Sequence, residues 1–177
     1  MLEAAELQQL KLEAKRGPLV EAGTGVPVSI GVDGLQRLLP HRAPMLLVDG
    51  IDIVDLDTGG VRGHRVLRPG DLGFAGHFPS EPIYPGVLVV EAMGQLALTL
   101  LHFVGGRRID VPDGLAPRPV RAIHVHHASF IAPLRPGDTV TLCARIAHDD
   151  YTMIATQQAW RGDTLAAFAI SEVLVDE

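Results

Sequence analysis

Residues 86–104, GVLVVEAMGQLALTLLHFV, constrain the fold of this chain more than any other stretch. Apolar side chains from Val87 to Phe103 point in every direction around a helix, with Pro85 at its mouth and Gly105-Gly106 as its stop. A helix apolar on all sides in a water-soluble domain is a buried one, so the rest of the chain must wrap it. Its few polar residues, Glu91, Gln95, Thr99 and His102, share one stripe at spacings of four, four and three. No uncharged apolar run approaches the roughly 18 residues of a membrane helix, so no membrane insertion is expected.

What wraps the helix reads as strands. Residues 45–57 and 61–68 precede it, joined by a turn at Thr58-Gly59-Gly60. Residues 120–132, 139–148, 151–161 and 164–175 follow, separated by Arg135-Pro136-Gly137-Asp138, Asp149-Asp150 and Gly162-Asp163. Val140, Leu142, Ala144 and Ile146 alternate with Thr139, Thr141, Cys143 and Arg145, the pattern of a strand with one face more buried than the other. Two strands, a helix and four strands, without βαβ alternation, give an α+β fold with an antiparallel sheet of about six strands around one long buried helix. A short helix capped by Asp33, carrying Leu35, Leu38 and Leu39 and stopped by Pro40, precedes the sheet. Residues 1–16 contain only helix formers and 17–29 read as a linker. The expected organisation is therefore a helical extension over 1–29, solvated or docked on a partner, and a single domain over 30–177.

Charge narrows the function. With 15 Lys+Arg against 21 Asp+Glu the chain is acidic, and a nucleic-acid binder needs a basic surface. The single cysteine, Cys143, excludes an internal disulfide and disfavours a cysteine-based zinc site. The first residues mix Glu, Lys and Leu, unlike a signal peptide, so the expected compartment is the cytoplasm.

Glu91 is the chemically informative residue of the helix. A carboxylate in apolar surroundings is costly to keep charged, which favours a protonated acid, although the nearby helix N-terminus pulls the other way. A general acid and a structural Glu bonded to Gln95 are both open on the stripe alone. The preceding loop, through Gly76-His77-Phe78-Pro79 and Pro82-Ile83-Tyr84-Pro85-Gly86-Val87, brings an imidazole and the unpaired N–H groups of a helix start close in sequence. Base, oxyanion donor and acid together suit proton abstraction beside a carbonyl with loss of a hydroxyl.

These residues resemble the bacterial 3-hydroxyacyl-[acyl-carrier-protein] dehydratases of the FabZ/FabA type. Besides the loop motifs, the matches are Leu39-Pro40-His41-Arg42, Leu46-Leu47-Val48-Asp49, Glu91-Ala92-Met93-Gly94-Gln95 and Pro136-Gly137-Asp138, in order over about residues 30–176. The resemblance implies a hot-dog fold. It also implies His77 as the base at C2 and Glu91 as the acid at the C3 hydroxyl, with Gly86 and Val87 as the thioester-binding start of the helix. Phe78, Pro79, Pro85 and Gln95 would support them. It further implies a homodimer that joins His of one protomer to Glu of the other, with a hexamer built as a trimer of dimers left open. The substrate would arrive on the phosphopantetheine of acyl carrier protein, with no metal and no dissociable cofactor. Ala43-Pro44-Met45 after the His-Arg pair and Arg121-Ala122 depart from the aromatics usual in the family. An altered acyl preference, in fatty acid or specialised polyketide or polyene synthesis, is the expectation. A hot-dog thioesterase and a non-catalytic acyl-binding subunit are the alternatives.

His124, His126 and His127 lack a visible third metal ligand and read as ordinary strand histidines. His102 reads as structural. Arg107, Arg108, Arg118, Arg121 and Arg135 are candidates for a basic patch that an acidic carrier could meet.

Overall fold

The computed structural model describes residues 2–148 and 152–175. Its elements are α1 (Ala4–Arg16), β1 (Val26–Ile30), α2 (Val32–Leu38), β2 (Gly50–Asp55), β3 (Gly60–Val66), α3 (Gly86–Leu98), α4 (Leu100–Gly106), β4 (Val120–Phe130), β5 (Thr139–His148), β6 (Thr152–Arg161) and β7 (Thr164–Val175). The strands form one antiparallel sheet in the order β1-β2-β3-β5-β6-β7-β4. The sheet curls around α3, which packs on β3, β5, β6 and β7. Val89, Ala92, Met93, Leu96 and Ala97 of α3 join Leu142 and Ala144 of β5, Ala155 of β6 and Ala169 of β7 in the core. This is the expected α+β hot-dog architecture.

The sheet has seven strands rather than six. The extra one, β1, lies in the stretch read as a linker and pairs with β2 through Val26↔Val54 and Ile30↔Ile51. Pro27 is tolerated because β1 is an edge strand. The first expected strand is shorter than residues 45–57: Met45–Asp49 instead run across α3 as a loop, and β2 begins at Gly50. Gly63 makes the β2–β3 crossing possible, since a Cβ there would lie 2.3 Å from the Gly50 carbonyl oxygen and 3.0 Å from Leu96. Gly31, not Asp33, is the N-cap of α2. The expected turn at Asp149-Asp150 and the first residue of its following strand, Tyr151, lie outside the described residues.

The long helix is interrupted once. Thr99 separates α3 from α4, and its hydroxyl donates to the Leu96 carbonyl at 2.6 Å, a back-bond that bends helices. Gly86–Gly106 has the length and apolar composition of a membrane span, yet it packs into the sheet. Its burial is one-sided within the single chain. Val87 is 74% exposed, and Val90, Glu91, Gly94 and Leu98 are half-buried along the same stripe.

The N-terminal helix docks on its own chain rather than standing free. The fully buried Gln158 of β6 donates to the carbonyls of Ala14 and Gly17, both at 2.8 Å, and accepts from the Leu19 N–H at 2.8 Å. Lys15 lies over the Phe168 ring of β7, 5.3 Å from its centroid. Phe168 faces α1 and Ala169 joins the α3 core, so successive residues of β7 point to opposite sides of the sheet.

Candidate active site

His77 sits in the loop between β3 and α3, held by backbone bonds on both sides. Its N–H meets the Phe74 carbonyl at 3.4 Å, and its carbonyl accepts from the Ile83 N–H at 3.0 Å. Tyr84 N–H donates to the Leu134 carbonyl at 2.7 Å, pinning the end of the loop to the β4–β5 connection. Glu81 and Arg135 pair across the same seam at 2.8 Å. The imidazole Nδ1 donates to the Ile83 carbonyl at 3.0 Å, which leaves the lone pair on Nε2. Phe78 stacks on the ring at a centroid distance of 4.1 Å and is half exposed, while Pro79 is exposed at the turn.

Pro85 is the N-cap of α3, and its carbonyl accepts the first helical bonds, from Leu88 and Val89. The N–H groups of Gly86 and Val87 therefore have no acceptor among the described residues, and they are the positive end of the helix. Gly86 lets the Phe130 ring lie close against the helix start, where a Cβ would come within 2.7 Å of it. His77, Gly86, Val87, Phe130, Leu134 and Ala166 line one cavity of about 470 Å³. Tyr84 lines the same cavity. Burial pushes its phenol above the ordinary range, Arg65 opposes this, and Asp71 and Asp49 reinforce it.

Glu91 lies one turn further along α3 and has a different set of neighbours. Gln95 Nε2 donates to its Oε1 at 2.7 Å, and His41 Nε2 approaches the same oxygen at 3.3 Å. Gln95 is 1% exposed; its Oε1 accepts from Leu47 N–H at 2.8 Å and its Nε2 also donates to the Met45 carbonyl at 2.7 Å. The expectation of a carboxyl shut into apolar surroundings is not met within one chain: the Glu91 side chain is 38% exposed and has His41 as a partner. His41 belongs to the matched Leu39-Pro40-His41-Arg42 stretch, but its contact with Glu91 has no sequence signal, because it lies fifty residues upstream with no helical spacing to Glu91. Gln95 and Thr99 are buried, so the polar stripe opens only at Glu91 and His102.

No hydrogen bond or ion pair among the described residues joins His77 to Glu91; the chain places them in two clusters on the same helix start. His102 donates to the Asp110 carbonyl at 2.8 Å and is structural, as expected. The arginine patch is partly neutralised, with Arg108 on Asp110 and Arg135 on Glu81.

The model of the FabA-like domain matches residues 39–170. The chain is 39% identical over 118 residues to the 3-hydroxyacyl-[acyl-carrier-protein] dehydratase FabZ of Chlamydia trachomatis, covering 67% of this chain and 73% of that one. To the enzyme of the same name from Campylobacter fetus it is 33% identical over 153 residues, covering 84% of this chain and 99% of that one. In fold it is similar to a chain of the dehydratase heterocomplex ApeI:P from Xenorhabdus doucetiae, with a TM-score of 0.61, 13% identity, and 86% and 92% of the two chains covered.

Proposed function

This chain belongs to the FabA-like dehydratase family and is a hydro-lyase acting on 3-hydroxyacyl thioesters of acyl carrier protein, and from that premise we propose the residues that carry the reaction. His77 Nε2 removes the C2 proton, and the electron pair moves into the thioester carbonyl. The developing oxyanion is met by the N–H of Gly86, with Val87 beside it at the helix start. Collapse of the enolate forms the C2–C3 double bond as the C3 hydroxyl leaves with a proton from Glu91. Water and the trans-2-enoyl thioester are the products. No step calls for a metal or a dissociable cofactor.

The observation that carries this reading is the orientation of His77. Its Nδ1 is committed to Ile83, so the free Nε2 shares one cavity with the unpaired N–H groups of Gly86 and Val87. The acid comes from a second copy. The open stripe of α3 carries Glu91 among Val87, Val90, Gly94 and Leu98. The outer strand β4 exposes Ile123 and Val125 at the sheet edge. A homodimer that covers both surfaces would enclose the Glu91 of one chain near the His77 of the other and complete a narrow acyl tunnel.

The test is loss of water, by mass, from 3-hydroxyacyl carrier thioesters of several chain lengths. His77→Ala and Glu91→Gln are each expected to lower turnover by about 10²–10⁴-fold while melting like the wild type. Wild-type turnover in either variant removes that residue from the mechanism, and release of free thiol without an enoyl product would identify a thioesterase.

A further inference from the structure

The histidine run on β4 acquires in three dimensions the third ligand that its sequence lacks. Glu172 of β7 stands opposite His124 in the strand register. Its carboxylate Oε2 lies 2.7 Å from His126 Nε2 and 3.6 Å from His124 Nδ1, and the three donor atoms fall within 4.8 Å of one another. We propose that His124, His126 and Glu172 form a binding site for a transition-metal dication of the zinc class, clamping the edge strand β4 to β7.

Three features converge on this cluster. The first is backbone shape. The β4–β7 register shifts between Ala122 and His124 and again between Val125 and His127, leaving Ile123 and His126 without a Cα partner. Bulges re-aim side chains, and these two bracket the cluster. The second is charge. Glu172 is 7% exposed, and a buried carboxylate is unfavourable without a cation. Its described partners are two imidazoles, His126 at 2.7 Å and His124 at 3.6 Å. A dication compensates the carboxylate and uses one nitrogen lone pair from each ring. The third is spacing. Tetrahedral zinc with bonds of about 2.0–2.1 Å sets its donor atoms roughly 3.3 Å apart, between the two distances found here. Two nitrogens and one carboxylate oxygen suit zinc or cobalt rather than magnesium or calcium.

The position separates this site from the dehydration chemistry. Glu172 alternates with the core residue Val173 and follows Phe168 and Ile170 on the face of β7 that carries α1. It lies across the sheet from α3. His124 is largely exposed, leaving coordination positions open to water. His127 does not belong: it bonds Ser129 at 2.9 Å and lies against Phe168. Burial, with Lys11 and Lys15 nearby, holds its ring below the ordinary imidazole range.

The experiment is titration of the tag-free, full-length, metal-stripped protein with zinc chloride by calorimetry, and with cobalt chloride followed by visible absorption. The expected result is one ion per chain, a cobalt spectrum of low coordination number, and a higher melting temperature with zinc. His124→Ala, on an exposed side chain, and His126→Ala are each expected to weaken zinc binding by at least about tenfold, since even outer-shell changes cost that much. His77→Ala is expected to leave zinc affinity as in the wild type. Absence of stoichiometric binding, or affinity unchanged in both His124→Ala and His126→Ala, overturns the site. Glu172→Gln adds to the test where circular dichroism shows it folded.

Discussion

Gln95 shows how much one amide organises. It holds the loop residues Met45 and Leu47 against the helix and steadies the Glu91 carboxylate, so its donor and acceptor sides are both committed. Gln95→Leu would leave the Leu47 N–H and the Met45 carbonyl without their partner, at a cost of about 1–3 kcal/mol for each group left buried. Urea unfolding is expected to show that loss, and dehydration should slow because the acid is no longer held. Gln95→Glu should be worse for turnover, since it sets a second carboxylate beside the first. The Glu91–Gln95 pair was readable in the sequence because four residues is a helical neighbour distance. The contact from His41 was not, because only the tertiary fold brings residues 41 and 91 together.

At the scale of elements, the β2–β3 turn offers a pH test. Asp55 is buried, which pulls its carboxyl up. Hydrogen bonds from the Thr58 hydroxyl and from the N–H groups of Thr58 and Asp57 outweigh that, with Arg145 adding to them, and set it below the ordinary range. A depressed carboxylate contributes stability that is present above the unfolded value near 3.9 and lost as pH falls through the folded one. Asp55→Asn is therefore expected to melt lower than wild type at pH 7, with the gap closing as pH falls below about 4. The N-terminal helix has its own test. Gln158→Leu abandons the carbonyls of Ala14 and Gly17 and the Leu19 N–H, and amide exchange should then rise through α1 before the sheet loosens. Regular alternation made β5 and its neighbours legible, and the all-apolar stretch announced the central helix. The edge strand β1 escaped notice because VPVSI contains a proline, and a strand bonded on one side needs little of the usual pattern. The docking of α1 was equally hidden, since its receptor is a glutamine on β6.

At the scale of the whole molecule, the proposed division of the active centre between two chains can be read by complementation. Mixed His77→Ala and Glu91→Gln chains, allowed to exchange, should recover about a quarter of wild-type turnover, because half the dimers are mixed and each holds one intact site of two. If both residues of a site came from one chain, the mixture would stay as inactive as its components. Val125→Asp, which puts a charge on the exposed edge strand, should shift sedimentation toward the monomer and lower activity although His77 and Glu91 are untouched. The partition was not visible in residue order, which sets the two groups within a short distance along the chain; the fold keeps them unbonded. The anchoring of α1 has a consequence for synthesis. The ribosome makes this helix long before the glutamine that receives it, 144 residues beyond Ala14. At 13 residues it is marginal on its own. It must therefore wait, largely unwound, until the closing hairpin emerges, so a segment translated early is among the last to settle.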